Sequence, residues 1–454
     1  MPAGATSTLR RAAELAEEHL AGIAHRPVGA TLSYEDAVAA LDEPLPEHGE
    51  DPVAVIEHLA ASAGPATVAS PGPRYFGFVT GGALPAALAA DWLVSAWDQN
   101  AFSRVSSPAA AAVEAVVERW ALEALGLPMD AAVGITTGAT TANFTCLAAA
   151  RHAVLERVGW DVEADGLFGA PEIRVLVGEQ VHASLLSALR YVGLGADRAE
   201  RVPTDDQGAM RADALTLDDR PTIVCAQAGE VATGAVDPLG AIADAAGEHG
   251  AWVHVDGAFG LWAAASPQQR HLTRGADRAS SWAVDAHKWL NVPYDGALSI
   301  VADPASVRAA MSMRASYLPD EEGREPIDYV PESSRRARAL PIYAALRQLG
   351  RSGIAELVDR CCVLARRLAA AMEELDGAQV LNDVVLNQAL VRFGDDDELT
   401  RAVIEQVQQG GEAWLGGTVW HGQAAARVSV SNWSTTEEDI DRLAAALADG
   451  LGRR

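Results

Sequence analysis

Lys288, in Trp282-Ala-Val-Asp-Ala-His-Lys-Trp-Leu-Asn291, is the only lysine in 454 residues; every other basic side chain in the Lys+Arg total of 35 is arginine. Arginine serves wherever a long cation is enough. It cannot serve where an amine must lose its proton and attack a carbonyl carbon, because guanidinium stays protonated. A chain that keeps a single lysine points to carbonyl chemistry there, against the plain alternative of a chance remnant. Two other stretches carry residues suited to chemistry. In Gly134-Ile-Thr-Thr-Gly-Ala-Thr-Thr-Ala-Asn143 a Gly/Thr turn opens a helix. Its N–H groups and the positive end of the helix dipole suit a phosphate, with Thr140 adding a hydroxyl; a simple N-cap reads the same way. In His254-Val-Asp-Gly-Ala-Phe-Gly260 an acid, Asp256, ends a buried run and needs a partner.

These residues fall at the ends of expected strands. Between about 133 and 302, short β-like runs (173–177, 222–226, 251–256, 281–285 and 297–301) alternate with helical runs such as 141–157 and 239–249. That alternation predicts an α/β fold with a mainly parallel sheet between helices. Ligands of such sheets sit at the carboxyl ends of the strands, where all three stretches lie. Before this region, helical spacing is expected over 1–26 and 53–63, with a Pro- and Glu-containing loop between them. A segment rich in aromatics and glycine, 73–82, precedes a helix at 84–97, and a helix from Pro108 to Leu125 follows. After about 345 the pattern becomes a compact α+β domain: helix 354–375, strand 388–393, helix 398–409, strands 417–421 and 426–431, and helix 437–447. The expected division is an N-terminal helical segment (1–72), a large α/β domain (73–345) and a small C-terminal domain (346–454).

A phosphate cradle, a carboxylate to keep a pyridine nitrogen protonated and a lysine amine for an aldehyde are together the parts a pyridoxal phosphate enzyme needs. Asp285-Ala-His-Lys-Trp-Leu290, with His254-Val-Asp-Gly-Ala258 and Ser107-Pro108, resembles the group II pyridoxal phosphate-dependent amino acid decarboxylases, the family of the aromatic amino acid and glutamate decarboxylases. The likeness extends from about Arg74 to Trp433. It implies an aspartate aminotransferase-like, fold type I architecture with a seven-stranded sheet. It also implies a homodimer with active sites at the subunit interface, the N-terminal helices packing on the partner. In that family the lysine forms the internal aldimine, the role implied for Lys288. Asp256 is then the pyridinium partner, and Gly138, Ala139 and Thr140 the phosphate cradle. His182 is the stacking histidine, Ala258 presses on the opposite face, and Asp285 and His287 complete the cofactor contacts. The loop acid of the family is a tyrosine; Tyr329 is the candidate here, with Tyr317 second. The substrate pocket corresponds to Phe78, Val79, Thr80, Gln99, Asn100 and Phe102, and the two amides suggest a polar or acidic substrate side chain. The chain departs from the family at Glu230, where a threonine is usual, and in a shorter segment between Tyr329 and Arg335.

Composition sets the remaining bounds. A net charge of −27 argues against nucleic acid or an anionic membrane as partner. No run approaches the ~18 apolar residues of a membrane span. Cys146, Cys225, Cys361 and Cys362 lack metal-ligand spacing and read as reduced core thiols of a cytoplasmic protein, with no metal site. The expected reaction is loss of CO₂ from an L-amino acid to give the amine. The alternatives are transamination, aldol cleavage or oxidative deamination on the same scaffold, or a catalytically silent regulatory chain.

Overall fold

The computed structural model describes residues 3–313 and 323–452, and its contacts divide the chain into two units. The larger comprises Gly81–Arg366 and Leu381–Leu390; the smaller comprises Met1–Thr80, Arg367–Val380 and Val391–Arg454. The larger unit is built on seven strands: β1 (Ala132–Thr136), β2 (Arg174–Gly178), β3 (Glu200–Val202), β4 (Thr222–Gln227), β5 (Trp252–Asp256), β6 (Ser281–Asp285) and β7 (Ala297–Val301). Their order is β1-β7-β6-β5-β4-β2-β3. Only β7 runs against its neighbours, β1 and β6; the other pairings are parallel.

Every residue of β1, β2, β4, β5, β6 and β7 is buried, as expected of strands covered on both faces. Helix Ala139–Glu156 packs over β5, β6 and β7. Its alanines allow close approach to the sheet, and the Cys146 thiol reaches the carbonyls of Trp282 and Ile300. All four cysteines are buried free thiols; burial pushes Cys146 up to about 12 and Cys361 up to about 11.

Register places the ends of the strands in line. Thr136 and Asp285 both pair with Ala297, and Asp256 pairs with Ala283 on one side and Gln227 on the other. One end of the sheet therefore carries the turn after β1 and the last residues of three strands, Asp285 of β6, Asp256 of β5 and Gln227 of β4. That end is the platform on which the site is assembled.

The second sheet has β8 (Ala378–Val380), β9 (Gln388–Phe393), β10 (Gly416–Trp420) and β11 (Gln423–Ser429) in the order β10-β11-β9-β8. Helices Asp397–Gly410 and Glu437–Gly452 pack together beside it. The N-terminal helices Ala3–Gly22, Tyr34–Leu41 and Pro52–Ala63 belong to the smaller unit, so this division differs from the boundary drawn at residue 72. Arg74, 3% exposed, is the physical reason. Its guanidinium donates to the carbonyls of Ala24 and Arg26 (3.2 and 2.8 Å) and to that of Glu412. The boundary drawn at 345 falls inside helix Ala339–Glu373, which is broken at Gly350 with φ 61°. No helix among the described residues is long and apolar enough to cross a membrane.

Candidate active site

Asp256 is a carboxylate at the end of an all-buried strand, 5% exposed, and its partners form a chain with a fixed direction. Asn143 Nδ2 donates to Oδ2 at 3.0 Å, and the Ala258 N–H donates to Oδ1 at 3.2 Å. With its Nδ2 committed, Asn143 must accept through Oδ1, so His254 Nε2, 2.9 Å away, carries the proton. His254 Nδ1 is then an acceptor for the Ser281 hydroxyl at 2.9 Å, and Ser281 Oγ accepts from Trp252 Nε1 at 2.9 Å. Each link turns a hydrogen-bond donor toward the carboxylate, so the chain stabilises the ionised acid. Burial holds His254 well below the ordinary imidazole range, at about 4, with the Asp256 charge a smaller opposing effect.

Lys288 follows β6 in a turn clamped from two sides. Its Nζ lies 3.0 Å from Asp285 Oδ2. The other oxygen, Oδ1, accepts the Ala139 N–H at 2.6 Å and stands 3.6 Å from His287 Nε2. His287 Nδ1 accepts the Gly296 N–H at 3.2 Å, and the Tyr294 ring lies 4.4 Å from its centroid. Burial lowers the His287 pKa, with the Asp285 charge opposing. Asn291 closes the turn in a left-handed conformation (φ 57°), with its Oδ1 accepting the Gly82 N–H at 2.6 Å. The neighbouring Gly81 approaches so closely that a Cβ there would collide with the Lys288 carbonyl oxygen.

Gly138 caps helix Ala139–Glu156 with extended backbone (φ −177°). Of the first-turn N–H groups, that of Ala139 is turned to Asp285; those of Thr140 and Thr141 have no acceptor within the helix. A Cβ on Gly138 would meet His287 Cε1 at 3.4 Å, so the cradle and the lysine turn are in contact. Ala258 joins the same cluster: its carbonyl accepts the Asp285 N–H at 2.9 Å. His182 caps helix Ala183–Tyr191, and its backbone N–H donates to Gln227 Oε1 at 3.1 Å.

The other expected site residues are each held by their own neighbours. Tyr329 lies in a short 3-10 turn, 8% exposed, within the apolar cluster of Ala132, Leu147 and Val307. The Arg324 guanidinium sits over its ring at 4.8 Å, and burial raises its pKa. The phenol is packed here among core side chains; Tyr317 lies outside the described residues. Gln99 donates to the Trp97 carbonyl (2.8 Å) and accepts from Ser107 (3.0 Å). Asn100 Oδ1 accepts the Arg335 N–H at 3.1 Å, and Arg335 in turn pairs with the buried Glu114. The Gln99 amide is thus engaged within its own segment, and the Asn100 amide oxygen by a residue 235 positions away. Phe102 is half-buried, and its carbonyl accepts the Ile327 N–H at 2.9 Å. In the smaller unit, Val79 and Thr80 are buried while Phe78 is 60% exposed, with the Trp414 ring 5.2 Å from its own. Phe78 and Val79 hold φ of 53° and 56°, uncommon for such side chains.

The departure at Glu230 has a structural account. Its buried Oε2 accepts the N–H groups of Ala232 and Thr233, both at 2.7 Å, and closes the turn after β4. The residues that sequence reasoning passed over are Asn143, Ser281 and Gln227. His254, Ser281 and Gln227 share one signal: a polar side chain inside an otherwise apolar strand run. Among the described residues no His, Cys, Asp and Glu cluster is placed to hold a metal.

Comparison with known proteins places this geometry in context. The model of the pyridoxal-dependent decarboxylase conserved domain matches residues 35–393. An aromatic-L-amino-acid decarboxylase of Bacillus atrophaeus is 26% identical over 452 residues, covering 95% of this chain and 92% of that one. An acidic amino acid decarboxylase of Bos taurus is 28% identical over 323 residues, covering 68% of this chain and 61% of that one. The crystal structure of Oryza sativa TDC with PLP and tryptamine has the same fold, with a TM-score of 0.92, 24% identity and coverage of 100% and 99% of the two chains.

The buried His254 makes stability fall on acidification. Its folded pKa of about 4 lies below the unfolded value of 6.5, so between these pH values the unfolded chain takes up a proton that the folded chain refuses. That contribution is whole above pH 6.5 and is lost towards pH 4, on the order of 3 kcal/mol in all. Urea denaturation from pH 8 to pH 4 should record the decline, and His254→Gln should flatten it. Separately, Gly81→Ala should cost about 1–3 kcal/mol through overpacking against the Lys288 turn. Thermal unfolding should show the loss, together with weaker cofactor retention on dialysis.

Proposed function

The chain belongs to the pyridoxal-dependent decarboxylase family and decarboxylates an amino acid with pyridoxal phosphate; from that premise we propose that Lys288 carries the cofactor and Asp256 holds a proton at its ring nitrogen. The observation that carries this reading is the lone lysine standing one strand away from a buried carboxylate whose hydrogen bonds all favour the ionised form. The residues fit the group. A carboxylate has about four acceptor positions, and Asp256 has capacity beyond Asn143 and Ala258 for a pyridinium N–H. The first turn of helix Ala139–Glu156 offers N–H donors for the phosphate through Gly138, Ala139 and Thr140.

Pyridoxal phosphate, when bound, supplies the sink for the electron pair that is left as CO₂ departs. The chain supplies position and charge. Asp256, fixed by Asn143 and His254, keeps the ring nitrogen protonated. His182 and Ala258 would lie against the two faces of the cofactor ring. Asp285 sits against the Lys288 amine and is itself fixed by Ala139 and His287, so the amine is aimed before any substrate arrives. The fate of the substrate depends on which bond to its α-carbon stands perpendicular to the ring, and holding the carboxylate there selects CO₂ loss.

The same reading includes a homodimer. Leu9, Tyr34, Leu45, Val55 and Leu59 of the N-terminal segment are all exposed, and helices Tyr34–Leu41 and Pro52–Ala63 bury no side chain. Apolar helices of this kind are supported by packing on a partner subunit. The four free thiols suit a cytoplasmic setting.

Borohydride reduction of the yellow holoenzyme, followed by peptide mass analysis, should place the cofactor adduct on Lys288. Lys288→Arg keeps the charge and should abolish the adduct and lower turnover by at least about 10²–10⁴-fold. Near-normal turnover in that variant would overturn the assignment. A panel of L-amino acids scored for CO₂ and amine identifies the substrate, with keto acid or aldehyde as the main product counting against the assignment of reaction type. Sedimentation equilibrium at micromolar protein should give the mass of two chains; a persistent monomer would remove the dimer.

A further inference from the structure

His182 is held more closely than a stacking ring needs. Its Nδ1 lies 3.2 Å from the Ser184 backbone N–H and 2.7 Å from the Ser184 hydroxyl. A backbone N–H can only donate, so this nitrogen is an acceptor and the hydroxyl donates to it as well. In the neutral ring the proton must then sit on Nε2. The backbone of His182 is also fixed, because its N–H donates to Gln227 Oε1 at 3.1 Å while Gln227 Nε2 donates to the Gln180 carbonyl at 3.2 Å. Gln227 is 5% exposed, and its own N–H donates to the buried Asp237 carboxylate at 2.7 Å. Gln227 thus holds the backbone of His182, and Ser184 holds the ring and its proton position.

We propose that Ser184 is a positioning residue for the decarboxylation, fixing His182 as the tautomer that presents an Nε2–H. This rests on the reading of His182 as the ring over the cofactor. The consequence is chemical: Nε2 is a donor, suited to an anionic or carbonyl oxygen of the bound substrate, and it does not accept a proton. Serine is required for its hydroxyl as well as for the helix start. Alanine at this position would keep the N–H, which still favours the same tautomer, but lose the shorter of the two hydrogen bonds and so raise the small share of the other tautomer.

The test is long-range ¹H–¹⁵N spectroscopy of histidine-labelled holoenzyme. His182 is identified among the 11 histidines by the signals missing in His182→Gln. In the wild type Nε2 should be pyrrole-like and Nδ1 pyridine-like. Ser184→Ala should raise the share of the Nδ1–H tautomer about 5- to 10-fold, as loss of one hydroxyl hydrogen bond predicts, and Ser184→Thr should restore the wild-type ratio. A wild-type ring protonated on Nδ1, or a ratio that moves less than twofold in Ser184→Ala, would overturn the proposal. Turnover should follow the tautomer, falling about tenfold in Ser184→Ala and recovering in Ser184→Thr. A tautomer that shifts while turnover stays level would leave Ser184 in its place as the ring's anchor and overturn the reaction role of His182.

Discussion

The burial of one charge governs the larger unit. A carboxylate at the end of an all-buried strand is costly unless hydrogen bonds replace its water. At Asp256 the cost is met by a chain that runs from Trp252 through Ser281, His254 and Asn143. All five of these residues come from β5, β6 and the helix that covers them. The strands can carry a histidine and a serine in their interior only because each polar group finds the next. Removing any one member would leave a neighbour unsatisfied in a low-dielectric interior, which is why such a network specifies one arrangement of the strands and the helix above them.

The lysine turn follows the same logic with backbone in place of side chains. Lys288 needs an aim, and Asp285 provides it; Asp285 needs to be fixed, and the first N–H of helix Ala139–Glu156 fixes it. A carboxylate at a helix N-terminus is favoured by the helix dipole, so the helix that suits a phosphate also holds the acid that steadies the amine. The tight fit of Gly81 against the Lys288 carbonyl and the left-handed Asn291 are the geometric cost of bringing these groups together.

Much of this was legible in the sequence, and what was not has physical reasons. Apolar runs flanked by helical spacing revealed β2, β4, β5, β6 and β7 within a residue or so. The two short strands β3 and β8, of three residues each, lack a run long enough to show. The lone lysine and the acid before Gly-Ala pointed to pyridoxal phosphate, the cofactor of the family to which the chain belongs. Asn143 was hidden because its partner is 113 positions away, a distance that no local pattern encodes. The surroundings of Tyr329 and of the amides of Gln99 and Asn100 were no easier to read from type alone: Arg324 lies over the phenol ring, Ser107 and Trp97 engage one amide, and the Arg335 N–H, 235 positions away, engages the other. Side-chain type shows what a residue can do, and only its neighbours show whether it is available to do it.

That principle reaches the protons of the site. His182 and His287 sit in turns that follow strands and His254 sits in the middle of β5, yet each is forced to the same tautomer. Ser184 N–H points at Nδ1 of the first and Gly296 N–H at Nδ1 of the third. For His254 the ionised Asp256 turns the Asn143 amide, and the amide oxygen then requires a proton on Nε2. In each case the deciding group cannot change roles: a backbone N–H is never an acceptor and a carboxylate is never a donor. Proton positions that are adjustable in an isolated imidazole are therefore fixed by the fold. With three rings fixed as Nε2–H donors, the amine that the proposed reading needs falls to Lys288, a role that arginine, the basic side chain used everywhere else in this chain, cannot fill.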